Sequence, residues 1–179
     1  MPIGRRRLGA ASFAFLLMAS SGIAHAASAT IVALGTSNTR GRGVPSSQSY
    51  PAQLEAALKA RGHHVRVVNL GVNGASSTEV LAGVGAVPRG TALVLYEYAR
   101  NNDRIKGVAN GEANMAAVQS QLGARGIRSI EVTNAILSQF KSAFSRGMIV
   151  MDHGPHLNGQ AYGEFVQSLL PQVEAALGR

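Results

Sequence analysis

The stretch TIVALGTSNTRGRGV, residues 30–44, decides how the rest of the chain is interpreted. It opens with a β-branched apolar run, residues 31–34, of the length expected for a buried strand. Gly35 ends that run, and Ser37 follows just past the predicted strand end. Because ligands bind beyond the carboxyl ends of strands in open α/β sheets, Ser37 is a candidate nucleophile. The alternative is an ordinary strand-to-loop exit with a capping serine.

The first 26 residues have the pattern of a secretory signal peptide. Three arginines at 5–7 precede a mostly apolar segment at 8–18, and Ala-His-Ala at 24–26 supplies a cleavage signal. The apolar segment is short for a bilayer span, although an uncleaved N-terminal anchor is the alternative interpretation. We therefore expect residues 27–179 to form one domain, periplasmic or secreted, without stable membrane insertion once the leader is removed.

The charge pattern does not indicate a nucleic-acid-binding protein. The chain has 17 Lys and Arg against 9 Asp and Glu, a formal charge of +8, and removal of the leader arginines leaves +5. These charges are scattered along the sequence, and no basic helix or aromatic-interleaved basic patch is present. The absence of cysteine fits an exported protein that relies on its core rather than on disulfides.

The chain alternates between strand-like and helix-like segments, which predicts an α/β fold. The pattern predicts strands at 31–34, 65–70, 92–99 and 127–133, and helices at 50–61, 110–125 and 159–177. Such βαβ units favour a parallel sheet covered on both faces, a three-layer αβα sandwich of flavodoxin-like type. Neither GxGxxG nor a Walker loop follows the first strand, so no nucleotide or other cofactor is expected.

Four polar loops follow predicted strands or precede the last helix, and their side chains could converge. They contain Ser37, the segment 69–74, the segment 100–103 and the segment 152–158. A serine nucleophile needs a base, and the base needs a group that fixes its tautomer. His156 is the best candidate base, with Asp152 or His153 beside it. Gly71 N–H, Ser37 N–H and an asparagine amide are candidate donors to an oxyanion. Each residue taken alone also has an ordinary structural interpretation.

Together these motifs resemble the four blocks of the SGNH (GDSL-type) hydrolases. GTSNTRGRGV is similar to the first block, VVNLGVNGASS to the second, YARNNDRIKG to the third and DHGPHLNGQAY to the last. The segment YPAQLEAAL also stands where such enzymes have their first helix. The resemblance covers nearly the whole of residues 27–179 and is greatest for small exported arylesterase-like and acyl-thioesterase-like members.

The resemblance implies a serine esterase that acts on small-molecule acyl esters or thioesters. It implies that Ser37 is the nucleophile, that Gly71 is the oxyanion-hole glycine and that His156 is the base. The third block contributes an asparagine to the oxyanion hole, and two positions compete for that role. Strand alignment selects Asn101, whereas matching the Asn-Asp dipeptide selects Asn102, which we favour because the match then continues downstream.

The chain also departs from the family pattern. Thr36 stands in place of the first-block aspartate, and the third block lacks its glycine. Asp152 lies four residues before His156 rather than three, so that His153 occupies the family's aspartate position. We expect Asp152 to reach the imidazole through a one-residue bulge.

The alternative function is a catalytically weak protein of this fold that binds an acyl or acetylated-glycan ligand. The sequence does not indicate an oligomeric state.

Overall fold

The computed structural model describes residues 28–178, and the predicted signal peptide lies outside these residues. The strands are β1 (Ala29–Gly35), β2 (Val65–Gly71), β3 (Thr91–Tyr96), β4 (Arg128–Glu131), β5 (Ile149–Met151) and β6 (Pro155–Leu157). The helices are α1 (Ser37–Arg40), α2 (Tyr50–Ala60), α3 (Ser77–Gly83), α4 (Arg100–Lys106), α5 (Gly111–Ala124), α6 (Thr133–Ser145) and α7 (Gly159–Ala176). Two short 3-10 turns, Ser46–Gln48 and Val84–Ala86, complete the described elements.

The main sheet has four parallel strands in the order β2-β1-β3-β4. This is the doubly wound, flavodoxin-like order, in which β1 is central. From β1 the chain first adds β2 on one side and then adds β3 and β4 on the other side. The predicted fold class is therefore confirmed. Because these strands are parallel, the loops after β1, β2 and β3 lie at the same carboxyl end of the sheet, and Ser37, Gly71, Asn101 and Asn102 follow those strands.

Residues of β1 alternate between two hydrophobic cores, one on each face of the sheet. Ile31 and Ala33 pack into the core formed with α2, α6 and α7, whereas Val32 and Leu34 pack into the core formed with α3 and α5. All four side chains are buried. A strand that is covered on both faces has no polar side, which explains why its sequence is a continuous apolar run.

The main difference from the predicted elements is a set of additional helices. The segments that contain α1 and α4 were interpreted as loops, and α3 and α6 were not predicted. Helix α3 has a clear start signal, because the Ser76 hydroxyl accepts from the Glu79 N–H while the Glu79 carboxylate accepts from the Ser76 N–H. Helix α6 follows Val132 and has no capping side chain.

A two-stranded antiparallel ribbon, β5 with β6, stands apart from the main sheet. It was not predicted from the sequence, and it carries His156 in its second strand opposite Val150. Among residues 28–178, no helix is both long and apolar enough to cross a membrane.

Candidate active site

Ser37 is the first residue of α1, immediately after β1 and Thr36. The turn between strand and helix is tight, because a Cβ atom on Gly35 would collide with Thr39 Oγ1 and the Glu97 side chain. The helix then ends after one turn at Gly41, whose φ of 80° is in the left-handed region that favours glycine. These glycines let the chain present Ser37 beyond the end of a central strand.

His156 lies beside this serine, although the two residues are 119 positions apart in the sequence. Its Nε2 atom is 3.0 Å from Ser37 Oγ, and the imidazole is only 7% exposed. The structure therefore brings together the two residues that the sequence singled out as nucleophile and base. The distance is within hydrogen-bonding range for a serine and its general base.

The other nitrogen of the imidazole contacts a backbone carbonyl. His156 Nδ1 lies 3.1 Å from Gly154 O, which also accepts a hydrogen bond from the Asp152 N–H at 3.0 Å. Because a carbonyl oxygen only accepts, Nδ1 carries the proton in this arrangement and Nε2 is free to accept one from Ser37. The carbonyl thus fixes the tautomer that a general base requires.

Asp152 does not bond to His156 in this structure, which corrects the predicted contact. Its carboxylate lies 2.7 Å from His153 Nδ1 and accepts a hydrogen bond from Arg42 Nη2 at 3.4 Å, within an ion pair with the Arg42 guanidinium. These hydrogen bonds, first from His153 and then from Arg42, lower the pKa of the Asp152 carboxyl. His153 has a φ of 50° and points outward, with its side chain 79% exposed. The extra residue in the loop thus turns both Asp152 and His153 away from the imidazole of His156.

Gly71 is also placed differently from the predicted role. Its N–H donates to Asn69 Oδ1 at 2.9 Å, and a Cβ atom at this position would collide with the backbone of Thr39 and Arg40. Gly71 therefore permits β2 to approach α1 closely, and its N–H is already occupied. Gly74 lines the cleft instead.

Gly74 is a residue that the sequence reasoning missed. Its φ is 72°, and its N–H has no hydrogen-bond partner among residues 28–178. The dipeptide Asn73-Gly74 was the available signal, because it is a strong turn former that places a glycine in the left-handed region.

Asn101 and Asn102 both line the cleft, but they are held differently. The Asn102 side chain is half-buried, and its Nδ2 donates to Ala75 O at 2.7 Å, which leaves one amide hydrogen available. Asn101 is exposed, and its Oδ1 accepts from Arg104 at 3.1 Å. The next residue, Asp103, accepts from the Ser77 N–H at 2.6 Å and so ties α4 to the start of α3.

Glu97 is a second functional candidate that the sequence analysis did not single out. It follows β3 and also lines the cleft, but it is 4% exposed and accepts hydrogen bonds from the segment around Ser37. The available signal was an acidic residue in an otherwise uncharged run, ALVLYEYA. Buried carboxylates are rare unless they are hydrogen-bonded or paired.

The cleft around Ser37 and His156 has a volume of about 570 Å³. One wall is apolar and is built by α6 through Ile136, Leu137 and Phe140. Arg100 and Lys106 of α4 also line the cleft, and they form ion pairs with Glu112 and Glu79. A cleft of this size accommodates a small organic ligand, and both Ser37 and His156 line it.

The chain is similar to several solved structures, two of which are described as esterases. It resembles the structure of TesA (24% identity, 83% of this chain and 99% of that chain, TM-score 0.66). It also resembles AlinE4, described as an SGNH-hydrolase family esterase (24%, 84% and 97%, TM-score 0.58). A third similar structure is the psychrotrophic esterase EstA from Pseudoalteromonas sp. (16%, 84% and 99%, TM-score 0.65), solved with monoethylphosphonate as inhibitor.

A shorter alignment reaches higher identity. Against a mutant of AlinE4 the identity is 31%, and the alignment spans 58% of this chain and 58% of that chain, with a TM-score of 0.52. Comparison with models of known families and with curated proteins found no match. The solved structures and the four motif blocks agree on the same architecture. The chain therefore has the fold of the SGNH hydrolases.

Proposed function

We propose that this protein is a serine esterase that hydrolyses small acyl esters or thioesters. The observation that carries the proposal is the 3.0 Å distance between Ser37 Oγ and His156 Nε2, in a tautomer that leaves Nε2 able to accept a proton. The similarity to structures of esterases supports a hydrolase of this family. The substrate range and the roles of individual residues are part of the proposal.

In the first half of the reaction, Ser37 Oγ attacks the ester carbonyl carbon while its proton moves to His156 Nε2. The carbonyl oxygen becomes an oxyanion, for which the proposed donors are Ser37 N–H, Gly74 N–H and Asn102 Nδ2. When the tetrahedral intermediate collapses, the alcohol or thiol leaves with the proton from His156. Water then attacks the acyl-serine with His156 again as base, and the acid is released.

The proposed catalytic pair is a dyad in which a carbonyl, rather than a carboxylate, orients the base. Gly154 O fixes the ring of His156 but carries no net charge to offset the imidazolium that forms during attack. In serine proteases, loss of the aspartate's charge costs about 10⁴ in turnover. We therefore expect the enzyme to be slower than an enzyme with a complete triad.

We place the acyl chain along the apolar wall of α6. Ile136, Leu137 and Phe140 present hydrocarbon surface on one side of the cleft that also contains Ser37. Burial of apolar surface stabilises binding by about 25 cal/mol per Å². The alcohol or thiol would then leave along the part of the cleft that α4 lines.

Replacement of the nucleophile tests this proposal directly. Ser37→Ala is expected to abolish hydrolysis of p-nitrophenyl esters and labelling by a fluorophosphonate, with little change in melting temperature. Ser47→Ala, in the exposed 3-10 turn Ser46–Gln48, is the matched control and should retain both activities. Retention of more than about a tenth of the wild-type rate in Ser37→Ala would contradict the assignment, because loss of a nucleophile typically costs far more.

The missing contact between Asp152 and His156 favours one alternative, a weakly catalytic protein that binds an acyl or acetylated-glycan ligand. Calorimetry with the non-hydrolysable product acid, alongside the hydrolysis assay, distinguishes the two functions. Binding without turnover and without labelling of Ser37 would favour the alternative. Turnover that depends on Ser37 would favour the esterase.

We also propose that the mature protein is exported to the periplasm or the medium and begins near Ala27. The proposal rests on the order of basic, apolar and Ala-His-Ala segments at the N-terminus. Intact-mass measurement of the exported fraction tests it, and retention of Met1 in that fraction would contradict it.

A further inference from the structure

Glu97 lies directly behind the segment that carries Ser37. Its N–H donates to Leu34 O at 2.9 Å, which continues the path of β3 alongside β1 for one residue beyond the strand. Its side chain points toward the turn between β1 and α1, and Glu97 is only 4% exposed. The carboxylate thus occupies a fixed position between the sheet and the segment 36–39.

The carboxylate accepts five hydrogen bonds, and all of them come from three residues that flank Ser37. Oε2 accepts from Thr36 N–H at 3.1 Å, from Thr39 N–H at 3.2 Å and from Thr39 Oγ1 at 2.8 Å. Oε1 accepts from Thr36 Oγ1 at 3.1 Å and from Asn38 Nδ2 at 2.9 Å. No arginine or lysine of residues 28–178 forms an ion pair with this carboxylate.

This arrangement has a consequence for Ser37 because it holds the backbone on both sides of the serine. Thr36 and Thr39 are tied by their N–H groups, whereas the Ser37 hydroxyl is directed to His156 at 3.0 Å. A buried carboxylate with no cationic partner is costly unless donors surround it. The five donors meet that requirement. The same hydrogen bonds fix the backbone of the turn that presents Ser37 to the cleft.

We infer that Glu97 is a positioning residue for the nucleophile. Its carboxylate fixes the turn that carries Ser37, so that Oγ stays within hydrogen-bonding distance of His156 Nε2. The inference rests on the proposed esterase function, since it concerns the geometry of that reaction. Positioning of this kind affects rate strongly, because a displacement of about 1 Å can cost on the order of 100-fold in turnover.

Two substitutions at Glu97 separate positioning from other roles. Glu97→Ala removes all five contacts, and we expect kcat for a p-nitrophenyl ester to fall about 100-fold, with KM changed by less than about threefold. Glu97→Gln keeps one oxygen for the two backbone N–H groups. Its amide can donate to the Thr36 hydroxyl and to a rotated Asn38 amide. Glu97→Gln should therefore remain within about tenfold of the wild-type kcat.

The rate of Ser37 labelling by a fluorophosphonate should follow kcat across this pair of variants. Leu122→Ala is the control for general destabilisation, because Leu122 is fully buried in the core on the α5 side and does not contact the turn. Its melting temperature should fall while its kcat, measured well below melting, stays near that of the wild type. A loss of kcat in Leu122→Ala equal to that in Glu97→Ala would overturn the inference.

Other outcomes are equally decisive. A folded Glu97→Ala whose kcat and labelling rate lie within about threefold of wild type would overturn the inference, as would a Glu97→Gln as slow as Glu97→Ala. If Glu97→Ala does not fold, Thr36→Val and Thr39→Val each remove one hydroxyl donor, and unchanged kcat in both would overturn it. If the wild type is neither active nor labelled, the proposed function itself fails, and the inference falls with it.

Discussion

A single extra residue decides what the carboxylate of Asp152 contacts. The spacing of four residues between Asp152 and His156 places two residues with positive φ, His153 and Gly154, between them. The chain therefore curls so that Gly154 O faces the imidazole and Asp152 faces Arg42. The sequence identified the irregular spacing, but it could not show which acceptor would take the Nδ1 proton, because a short loop can satisfy that donor with either a side chain or its own backbone.

We predict a small effect for Asp152→Asn. Among residues 28–178 the carboxylate pairs only with the partly exposed Arg42 and the exposed His153. Its loss should therefore change kcat/KM by less than about fivefold, as for an exposed ion pair. His153→Ala is the matched variant and should behave similarly. Steady-state rates on one chromogenic ester decide the matter. A decrease near the 10⁴ associated with a catalytic aspartate would show that Asp152 reaches His156 during turnover.

The two neighbouring asparagines should differ strongly in their effects. Asn102 is half-buried and held against Ala75 O, with one amide hydrogen left over, whereas Asn101 is exposed and bonded to Arg104. Asn102→Ala should lower kcat by roughly 10² to 10³, the loss that follows removal of one oxyanion donor. Asn101→Ala should leave kcat within about twofold. The reverse order would assign the donor role to Asn101.

At the scale of elements, the predicted helices were the most accurate, because each agrees with its observed helix to within one residue at either end: 50–61 with α2, 110–125 with α5 and 159–177 with α7. The segments predicted at 65–70 and 92–99 correspond to β2 (Val65–Gly71) and β3 (Thr91–Tyr96). The predicted strand 92–99 extends three residues beyond the end of β3 at Tyr96. The strand ends there because the Glu97 side chain binds the turn that carries Ser37, a tertiary contact that a local sequence pattern does not contain. Helix α6 was not predicted, although its apolar spacing was present, because Val132 gives no capping signal at its start.

The exposed part of α6 should control acyl-chain preference. Leu137 lines the cleft and is 46% exposed, so a longer acyl chain can cover it. Leu137→Ala should lower kcat/KM for octanoyl esters by roughly 5- to 30-fold, which corresponds to about 1–2 kcal/mol of lost apolar contact. Acetyl esters should be unaffected, because they do not reach this residue.

Phe144→Ala is the control on the same helix. Phe144 is 63% exposed and stacks against Phe140, but it does not line the cleft. Its replacement should leave the ratio of octanoyl to acetyl rates unchanged. A ratio that shifts equally in both variants would mean that the acyl chain lies elsewhere.

At the scale of the whole molecule, the core contains two tyrosine hydroxyls without partners. Tyr50 and Tyr162 are fully buried, and neither hydroxyl has a hydrogen-bond partner among the described residues. Burial raises the pKa of both phenols, and the negative charge of Glu97 adds to this, whereas the nearby Thr39 hydroxyl offsets part of the rise in the pKa of Tyr50. The folded protein therefore keeps these protons at pH values where an unfolded chain would release them.

Stability should consequently decline in alkaline solution. An unfolded tyrosine titrates near about pH 10. Below that pH both states are protonated, and the contribution is fully present. As pH rises further, only the unfolded state ionises, and the contribution is progressively lost toward the folded pKa. Urea midpoints between about pH 8 and pH 11 should fall, and Tyr50→Phe should reduce the slope. Complete tyrosinate absorbance from a still-folded protein would contradict this.

The separation of Ser37 from His156 along the chain also has a consequence for how activity appears during folding. The two residues are 119 positions apart, and one follows the first strand while the other lies in the last. Such distant contacts form late, since long loops must close before they are made. A refolding protein would regain the ultraviolet signals of its tyrosine core before it regains turnover. The recovery of ester hydrolysis would therefore report the rate of the last docking step rather than the rate of core collapse.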